Sequence, residues 1–212
     1  MAEVPSDQVS YDERCVLSHG GEEAVAKLFS KYRGQFERMV NFRLDRRLYG
    51  RVDAADVLQE AYIEVARRIE DFLQQETVSF FVWARQLTWQ TLLQTHRLPL
   101  GVQKRDAARE VGLHADAQAQ GTSLSIASRL AGAITSPSNA VIRDEQIEGL
   151  RRALETMEEM DREVLALRHF EQLSNKEVAE VLGIQKTTAS NRYVRALERL
   201  KQILDEVTGE QS

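Results

Sequence analysis

A helix near the carboxyl end of the sequence carries polar and basic residues on one face: Lys186, Thr187, Ser190, Asn191 and Arg195. Their ammonium, guanidinium, amide and hydroxyl groups suit the hydrogen bonds that base edges and phosphates offer. A shorter helix precedes this one, because Ser174 and Glu177 have the spacing of a capping box and Gly183 supplies a left-handed end. The pattern predicts a helix-turn-helix whose second helix enters the major groove of DNA.

A second set of residues lies at helical spacing in the first half of the chain: Asp56, Gln59, Glu60, Ile63 and Arg67. They form one stripe opposite the apolar face of their helix. One interpretation is an ordinary solvated face with an aspartate favoured by the helix dipole. The other is a docking surface for a partner helix rich in arginine and apolar residues.

A third helix, from about Phe80 to Arg97, combines aromatic, amide and cationic side chains. One face of it carries Trp83, Gln86, Gln90, Gln94 and Arg97. Such a face suits stacking and hydrogen bonding to unpaired bases. On this pattern alone the alternative is favoured, in which Trp83 packs inward and the glutamines are ordinary surface.

The sequence offers no catalytic or metal site. Its histidines are scattered and lack partners at metal-ligand spacing, and no glycine-rich phosphate loop follows a strand. We therefore predict no enzymatic activity, no metal and no cofactor.

The charge balance is acidic, with 28 Lys and Arg against 33 Asp and Glu, a net charge of −5. A protein that holds duplex DNA unaided usually has a basic excess, because phosphate neutralisation dominates affinity. The balance therefore indicates weak DNA binding strengthened by a partner. The single Cys15, the missing secretory signal and the absence of an apolar run of membrane length predict a cytoplasmic protein without membrane insertion.

The elements that position these residues are predicted to be all α-helical, in two small helical domains joined by a long linker. The predicted limits are an N-terminal tail over 1–20, a helical bundle over 21–97, the linker over 98–137 and a helix-turn-helix domain over 138–207. The first helix is expected to start at Gly20-Gly21, and a second to run from Asp53 to about Phe72. In the second domain a helix is expected from Ala140 to Met157, with Asp161 capping the next. The last helix is expected to bury Ala189, Tyr193, Leu197, Leu200 and Leu204.

The combination of motifs resembles the bacterial sigma-70 superfamily, in its small two-domain extracytoplasmic-function (ECF) type. Residues 56–61 resemble the D-x-x-Q-E pattern of region 2.2, and residues 80–97 resemble regions 2.3 and 2.4. Residues 161–168 resemble region 4.1, and residues 173–200 resemble region 4.2. The chain departs from the family at Gln90 and Gln94, where asparagine and aspartate are frequent.

The resemblance implies a sigma factor that binds core RNA polymerase and directs recognition of the −10 and −35 promoter elements. The implied partners are the β′ clamp helices and β flap of core polymerase, promoter DNA, and an anti-sigma factor as a further candidate. The polymerase would bind Asp56, Gln59, Glu60, Ile63 and Arg67. The −10 DNA would contact Phe80, Trp83, Gln90, Gln94 and Arg97, with a base turned out of the stack near residues 73–79. The −35 DNA would contact Lys186, Thr187, Ser190, Asn191, Arg192 and Arg195, the two arginines binding phosphates.

Two other functions account for part of the pattern. A stand-alone transcriptional regulator with a LuxR-like helix-turn-helix explains residues 173–200 but gives no role to the Asp56 stripe. An interaction module that only sequesters polymerase or a regulator would leave its recognition helix idle.

Overall fold

The computed structural model describes residues 6–44, 52–75, 78–100, 122–131 and 140–208. Every regular element within those ranges is helical, which confirms the all-α prediction. The chain divides into two compact units, Met1–Gln103 and Lys104–Ser212.

The first unit contains four helices within the described ranges: α1 (Ser6–Arg43), α2 (Ala54–Arg67), α3 (Ile69–Leu73) and α4 (Phe80–Leu100). Helices α1, α2 and α4 pack against one another in pairs. The apolar stripes predicted on α1 and α2 form the core, which includes Val25, Phe29, Phe36, Met39, Val40, Val57, Leu58, Ala61 and Val65. Burial of these side chains is the main force that holds the three helices together.

The segment predicted to be an N-terminal tail is helical from Ser6. Its side chain Leu17 is buried, and the helix bends at Gly21, where φ is 56° and ψ is −148°. That backbone conformation is nearly restricted to glycine. A Cβ atom on Gly20 would lie 2.5 Å from Cβ of Ala24, so the bend needs both glycines. The prediction of a tail over 1–20 was therefore wrong for residues 6–20, although it placed a helix start at the glycine pair.

The helix predicted from Asp53 to Phe72 is broken at Arg68, whose φ of −108° and ψ of 16° are not helical. Asp53 is the N-cap of α2 and accepts a 3.1 Å hydrogen bond from the backbone N–H of Ala55. The break gives α3 a direction of its own and allows Phe72 to be fully buried.

The second unit contains α5 (residues 122–131), α6 (Ala140–Leu154), α7 (Glu159–Leu165), a π-helical turn (Ala166–Phe170), α8 (Asn175–Leu182) and α9 (Lys186–Thr208). Helix α9 packs against α6, α7 and α8. The predicted cap at Asp161 was wrong, because Glu158 occupies the N-cap position of α7 and Asp161 lies in its first turn. The neighbouring residue Arg162 binds the chain between α6 and α7. Its Nη1 donates to the carbonyls of Leu154 (3.1 Å) and Met157 (2.9 Å).

Helix α5 corrects the prediction that residues 98–137 only link the two domains. Ile126 and Ala127 are fully buried, and the buried Thr122 hydroxyl donates a 3.0 Å hydrogen bond to Oε2 of Glu163 on α7. The segment was assigned to a linker because it has few large apolar residues. Small side chains and one isoleucine suffice here because a helix with small residues can approach its neighbours closely.

The buried face of α9 also differs from the predicted one. Ala189 and Leu200 are buried as predicted, but Ala196 and Ile203 complete the face, and Leu197 is 37% exposed. Because α9 packs against helices on more than one side, its buried face is set by their positions and not by its largest apolar residues.

Candidate nucleic-acid and partner interfaces

The helix-turn-helix has the local geometry that its sequence predicts. The backbone N–H of Ser174 donates to Glu177 Oε2 (2.7 Å), and that of Glu177 donates to Ser174 Oγ (3.2 Å), so the capping box is complete. Gly183 has a φ of 63° and ends α8 in the left-handed conformation. The N–H of Ile184 donates to the carbonyl of Ala179 at 2.9 Å and closes the turn. The start of α9 is thereby fixed relative to α8.

The exposed start of α9 carries three of the predicted −35 contacts. Lys186, Thr187 and Asn191 are exposed on its surface, and Arg195 is exposed further along. Ser190 does not share this exposure, because its hydroxyl accepts a hydrogen bond from Nδ2 of Asn175 on α8. Its side chain joins the two helices of the motif, and its contact with the −35 DNA stays a prediction.

Arg192 is also engaged within the protein. Its Nη1 donates to Glu158 Oε2 (2.9 Å) and to Asp161 Oδ1 (2.6 Å), and its side chain is only 25% exposed. The hydrogen bonds that Arg192 donates to Glu158 and Asp161 raise the pKa of Arg192, and the bond to Glu158 lowers the pKa of that carboxyl. The predicted phosphate contact of Arg192 stays a prediction, and it would compete with these two carboxylates. Arg195, 3.5 Å from Asp161 with a side chain 57% exposed, is better placed for phosphate.

The stripe on α2 is exposed along its whole length. Asp56, Gln59 and Glu60 face solvent at successive turns, and the stripe continues through Ile63 and Arg67. Ile63 is 47% exposed, which leaves a large apolar side chain on a charged surface. Arg67 donates a 2.6 Å hydrogen bond to Glu64, beside the stripe. An exposed apolar residue flanked by carboxylates, an amide and a guanidinium has the composition of a protein-docking surface.

Two residues expected to meet unpaired bases lie in the core. Phe80 is fully buried and Trp83 is 7% exposed. The ring centroid of Trp83 lies 5.0 Å from that of Phe72 and 6.0 Å from that of Phe80. The alternative that Trp83 packs inward is the correct one, since the break before α3 turns Phe72 into contact with the first turn of α4. Neither ring can stack on a base without leaving this cluster.

The polar part of the α4 face remains available. Gln86, Gln90 and Gln94 are exposed one turn apart, so their amides form a continuous row of donors and acceptors. Arg97 lies in α4, but its side chain is outside the described residues. Trp89, one residue before Gln90, is half-buried with the guanidinium of Arg43 5.3 Å from its ring centroid.

Sequence reasoning missed Arg14, which contacts both sides of the α3–α4 loop. Its Nη1 donates to the carbonyl of Phe72 (2.9 Å) and its Nη2 to that of Val78 (2.5 Å). A side chain that binds backbone carbonyls far along the chain leaves no periodic signal, and Arg14 lay in the presumed tail.

No group of histidine, cysteine, aspartate and glutamate within the described ranges is arranged to hold a metal ion. None of the described helices combines the length and apolar character needed to cross a bilayer.

Comparison with known proteins bears on both units. The family model "Sigma-70, region 4" matches residues 147–200, which span the second half of α6, α7, the π-helical turn, α8 and the first part of α9. The RNA polymerase sigma-H factor of Pseudomonas aeruginosa is 25% identical over 188 residues, covering 89% of this chain and 90% of that protein. The chain is similar to a sigma-70 protein along most of its length. The matched residues include the helix-turn-helix formed by α8 and the start of α9.

Further sigma-70 relatives match at similar identity. The ECF RNA polymerase sigma-E factor of Haemophilus influenzae is 24% identical, covering 95% of this chain and 96% of that protein. The RNA polymerase sigma factor YlaC of Bacillus subtilis is 23% identical, covering 80% and 87% respectively. A solved structure, "CnrH in complex with the cytosolic domain of CnrY", aligns with a TM-score of 0.48 at 17% identity and covers 93% of this chain and 97% of that one. Because the relatives extend across both units, an ECF-type sigma factor accounts for more of the chain than a LuxR-like regulator does.

Proposed function

We propose that this protein is a non-enzymatic sigma factor of the sigma-70 family that binds core RNA polymerase in the cytoplasm and directs it to promoters. The observation that carries the proposal is the pairing of an exposed docking stripe on α2 in one unit with an exposed recognition helix in the other. The stripe on α2 would bind polymerase and the recognition helix would bind promoter DNA, which are the two tasks of such a subunit.

The α2 stripe is the proposed polymerase contact, through the β′ clamp helices. Ile63 supplies an apolar centre, and Asp56, Gln59 and Glu60 supply acceptors for basic side chains of a partner helix. Charge-assisted hydrogen bonds around an apolar contact give both orientation and affinity. The apolar residues of α2 face the opposite way into the core, so docking requires no rearrangement of the unit.

The −10 element is the proposed ligand of the exposed glutamine row on α4. Gln90 and Gln94 present amides that suit the edges of unpaired bases, with Arg97 following on the same helix. Phe80 and Trp83 contribute to this surface indirectly, because their cluster with Phe72 fixes the position of the first turn of α4. A base turned out of the stack is proposed to lie near the loop between α3 and α4.

The −35 element is the proposed ligand of α9. Lys186, Thr187 and Asn191 are placed to meet base edges, and Arg195 to meet a phosphate. One recognition helix makes few contacts, and the net charge of −5 opposes binding to DNA. Attachment to polymerase, including the β flap, would raise the effective concentration of each DNA-binding surface. An anti-sigma factor is a further proposed partner, since the same docking surfaces would be accessible to it.

The test is co-elution of the full chain with bacterial core RNA polymerase. The variant Asp56→Ala with Gln59→Ala should lose co-elution, because it removes two exposed acceptors and disturbs no buried contact. Glu70→Ala with Gln74→Ala is the matched control, since it removes an exposed carboxylate and an exposed amide from the neighbouring helix end.

Three results are informative. Co-elution of the wild type and the control but not of the Asp56/Gln59 variant would support the proposal. Equal co-elution of all three would exclude the α2 stripe as the docking surface. A wild-type chain that fails to bind polymerase yet shifts duplex DNA as a dimer would contradict a sigma factor and support a stand-alone regulator.

A further inference from the structure

We propose that Arg168 is a positioning residue for promoter recognition, because it fixes the rotation of the recognition helix α9 about its own axis. The proposal rests on the proposed function, since it concerns the side chains of α9 that are proposed to contact the −35 DNA. Arg168 lies in the connector between α7 and α8 (residues 166–173) and belongs to its π-helical turn.

The first observation is that the backbone of the connector is held in one conformation. The N–H of Glu171 donates to the carbonyl of Ala166 (3.0 Å) and closes the π-helical turn, and the N–H of Leu173 donates to the carbonyl of Leu167 (2.9 Å). Between these two donors lies Gln172, whose left-handed φ of 60° is uncommon for a residue with a side chain. Such conformations persist where the surrounding contacts hold them, and they often mark functional positions.

The second observation is that Arg168 joins the connector to both helices of the helix-turn-helix. Its Nη1 donates to the carbonyl of Leu173, which directly precedes the N-cap residue Ser174 of α8. Its guanidinium carbon lies 5.3 Å from the ring centroid of Tyr193 on α9. A guanidinium donates hydrogen bonds within its plane and attracts an aromatic ring across that plane, so a single side chain can orient two groups.

The third observation is the place of Tyr193 on α9. The buried face of the helix is formed by Ala189, Ala196, Leu200 and Ile203. At about 100° per residue, Tyr193 lies at one edge of this face and Arg192 lies at the other, where it binds Glu158 and Asp161. Alanine side chains project little from the backbone, so the core alone resists rotation of α9 weakly. Polar contacts at both edges limit the rotation in both directions.

The rotation of α9 determines where its exposed side chains point. Asn191 precedes Tyr193 by two residues and therefore lies on nearly the opposite side of the helix. Fixing Tyr193 consequently fixes the direction of Asn191. Hydrogen bonds to base edges need short distances and nearly linear geometry, so a small rotation changes which atoms of the base pairs are reached. Without the Arg168 contact, α9 should still pack on the unit but should prefer other bases.

The experiment uses the full chain with core RNA polymerase and a promoter library randomised over the −35 element, sequenced from the transcripts of one round. Arg168→Met keeps a long side chain but removes the guanidinium. It should reduce base preference at one or more −35 positions by about tenfold, the discrimination of one base contact, and should change the order of preferred bases there. Co-elution with polymerase and −10 preference should stay unchanged. The order of bases separates positioning from stability, because partial unfolding weakens every preference but keeps their order.

Changes at Tyr193 test the same contact from α9. Tyr193→Leu removes the ring and should alter the same −35 positions as Arg168→Met, whereas Tyr193→Phe keeps the ring and should keep the wild-type order of bases. The double variant Arg168→Met with Tyr193→Leu should have no larger effect than either single change, because both remove one interaction.

The matched control is Arg151→Met, which removes a guanidinium from α6 in the same unit. Arg151 forms ion pairs with Glu148 and Glu155, three and four residues away along its own segment. This variant should keep the wild-type order of −35 bases. An unchanged order in Arg168→Met would overturn the proposal, as would an equal change in Arg151→Met.

A measurement without polymerase distinguishes failure of the proposal from failure of the proposed function. Spin labels are attached through Glu159→Cys on α7 and Asn191→Cys on α9, two exposed positions, in a chain that carries Cys15→Ser. Their distance should differ from the wild-type value in Arg168→Met and should not differ in Arg151→Met. Failure of the proposed function would appear as a wild-type chain that does not co-elute with polymerase while this difference in distance persists. An unchanged distance in Arg168→Met would contradict the positioning role itself.

Discussion

Arg192 on the recognition helix and Asp161 on α7 are joined by a 2.6 Å hydrogen bond between Nη1 and Oδ1. Arg192 contacts Glu158 as well, and Arg195 reaches the same oxygen of Asp161 at 3.5 Å. One aspartate therefore fixes two arginines of α9. The pairing holds α9 against α7, and leaves Arg195 as the more exposed of the two cations.

Replacing Asp161 with alanine should destabilise the second unit. Its side chain is only 13% exposed and accepts from two guanidinium groups, so its loss should cost about 1–3 kcal/mol of unfolding free energy. Urea denaturation of the full chain measures the change. Glu159→Ala is the control on the same helix, since Glu159 is exposed, and a cost as large as that of Asp161→Ala would refute the assigned role.

The Glu158–Arg192 hydrogen bond should make stability depend on pH in the acid range. Arg192 lowers the pKa of Glu158 from its usual value of 4.5, so the folded state favours the ionised carboxylate. The resulting stability is present above pH 4.5 and is lost as the pH falls through the lower pKa of the folded state. Unfolding free energies of the wild type and Glu158→Gln, measured against pH, should therefore differ at neutral pH and converge in acid. A constant difference across the range would contradict this.

Replacing Trp83 with alanine should lower the stability of the first unit, and any effect on DNA binding should follow from that loss of stability. Trp83 packs against Phe72 and Phe80, and removing a buried aromatic of this kind costs about 3–5 kcal/mol. Thermal unfolding should shift to lower temperature, whereas Gln90→Ala on the exposed face should leave it nearly unchanged. If Trp83→Ala kept the wild-type stability but bound the −10 DNA less well, the result would support direct stacking of Trp83 on a base.

The double variant Lys186→Ala with Asn191→Ala should lose −35 preference while keeping polymerase binding, because both side chains are exposed on the face of α9 that follows the turn. Reconstituted transcription from templates with intact and scrambled −35 elements measures the preference. Ser190→Ala is the comparison, since its hydroxyl bonds to Asn175 and should contribute to stability more than to base reading. Retained preference in the double variant would mean that another face of α9 meets the DNA.

Local signals in the sequence predicted the parts of the fold that short-range chemistry decides. The capping box of Ser174 and Glu177, the left-handed Gly183 and the cap at Asp53 follow from neighbours three residues away or fewer. The apolar stripes of α1 and α2 follow from helical periodicity. These features depend on no distant contact, which is why sequence alone places them.

The errors arise where long-range contacts decide the outcome. For Trp83 the helical pattern favoured burial and the family resemblance implied a DNA contact, and the packing of its ring against Phe72 decides for burial. Arg192 has the character of a phosphate ligand until Asp161 is brought within 2.6 Å by the packing of α7 on α9. Arg14 carries no local signal at all, because both of its acceptors lie more than fifty residues away.

Helix α5 bears on how this chain can be divided for experiments. A fragment cut at residue 138, or at the start of the family match at residue 147, would lack the Thr122 hydroxyl that donates to Glu163 and the apolar side chains of Ile126 and Ala127. Such a fragment would expose to water the surface that these side chains cover, and it would be prone to self-association. Chimaeras that exchange the second unit between relatives should therefore be joined before residue 122, so that the transplanted unit carries its own covering helix.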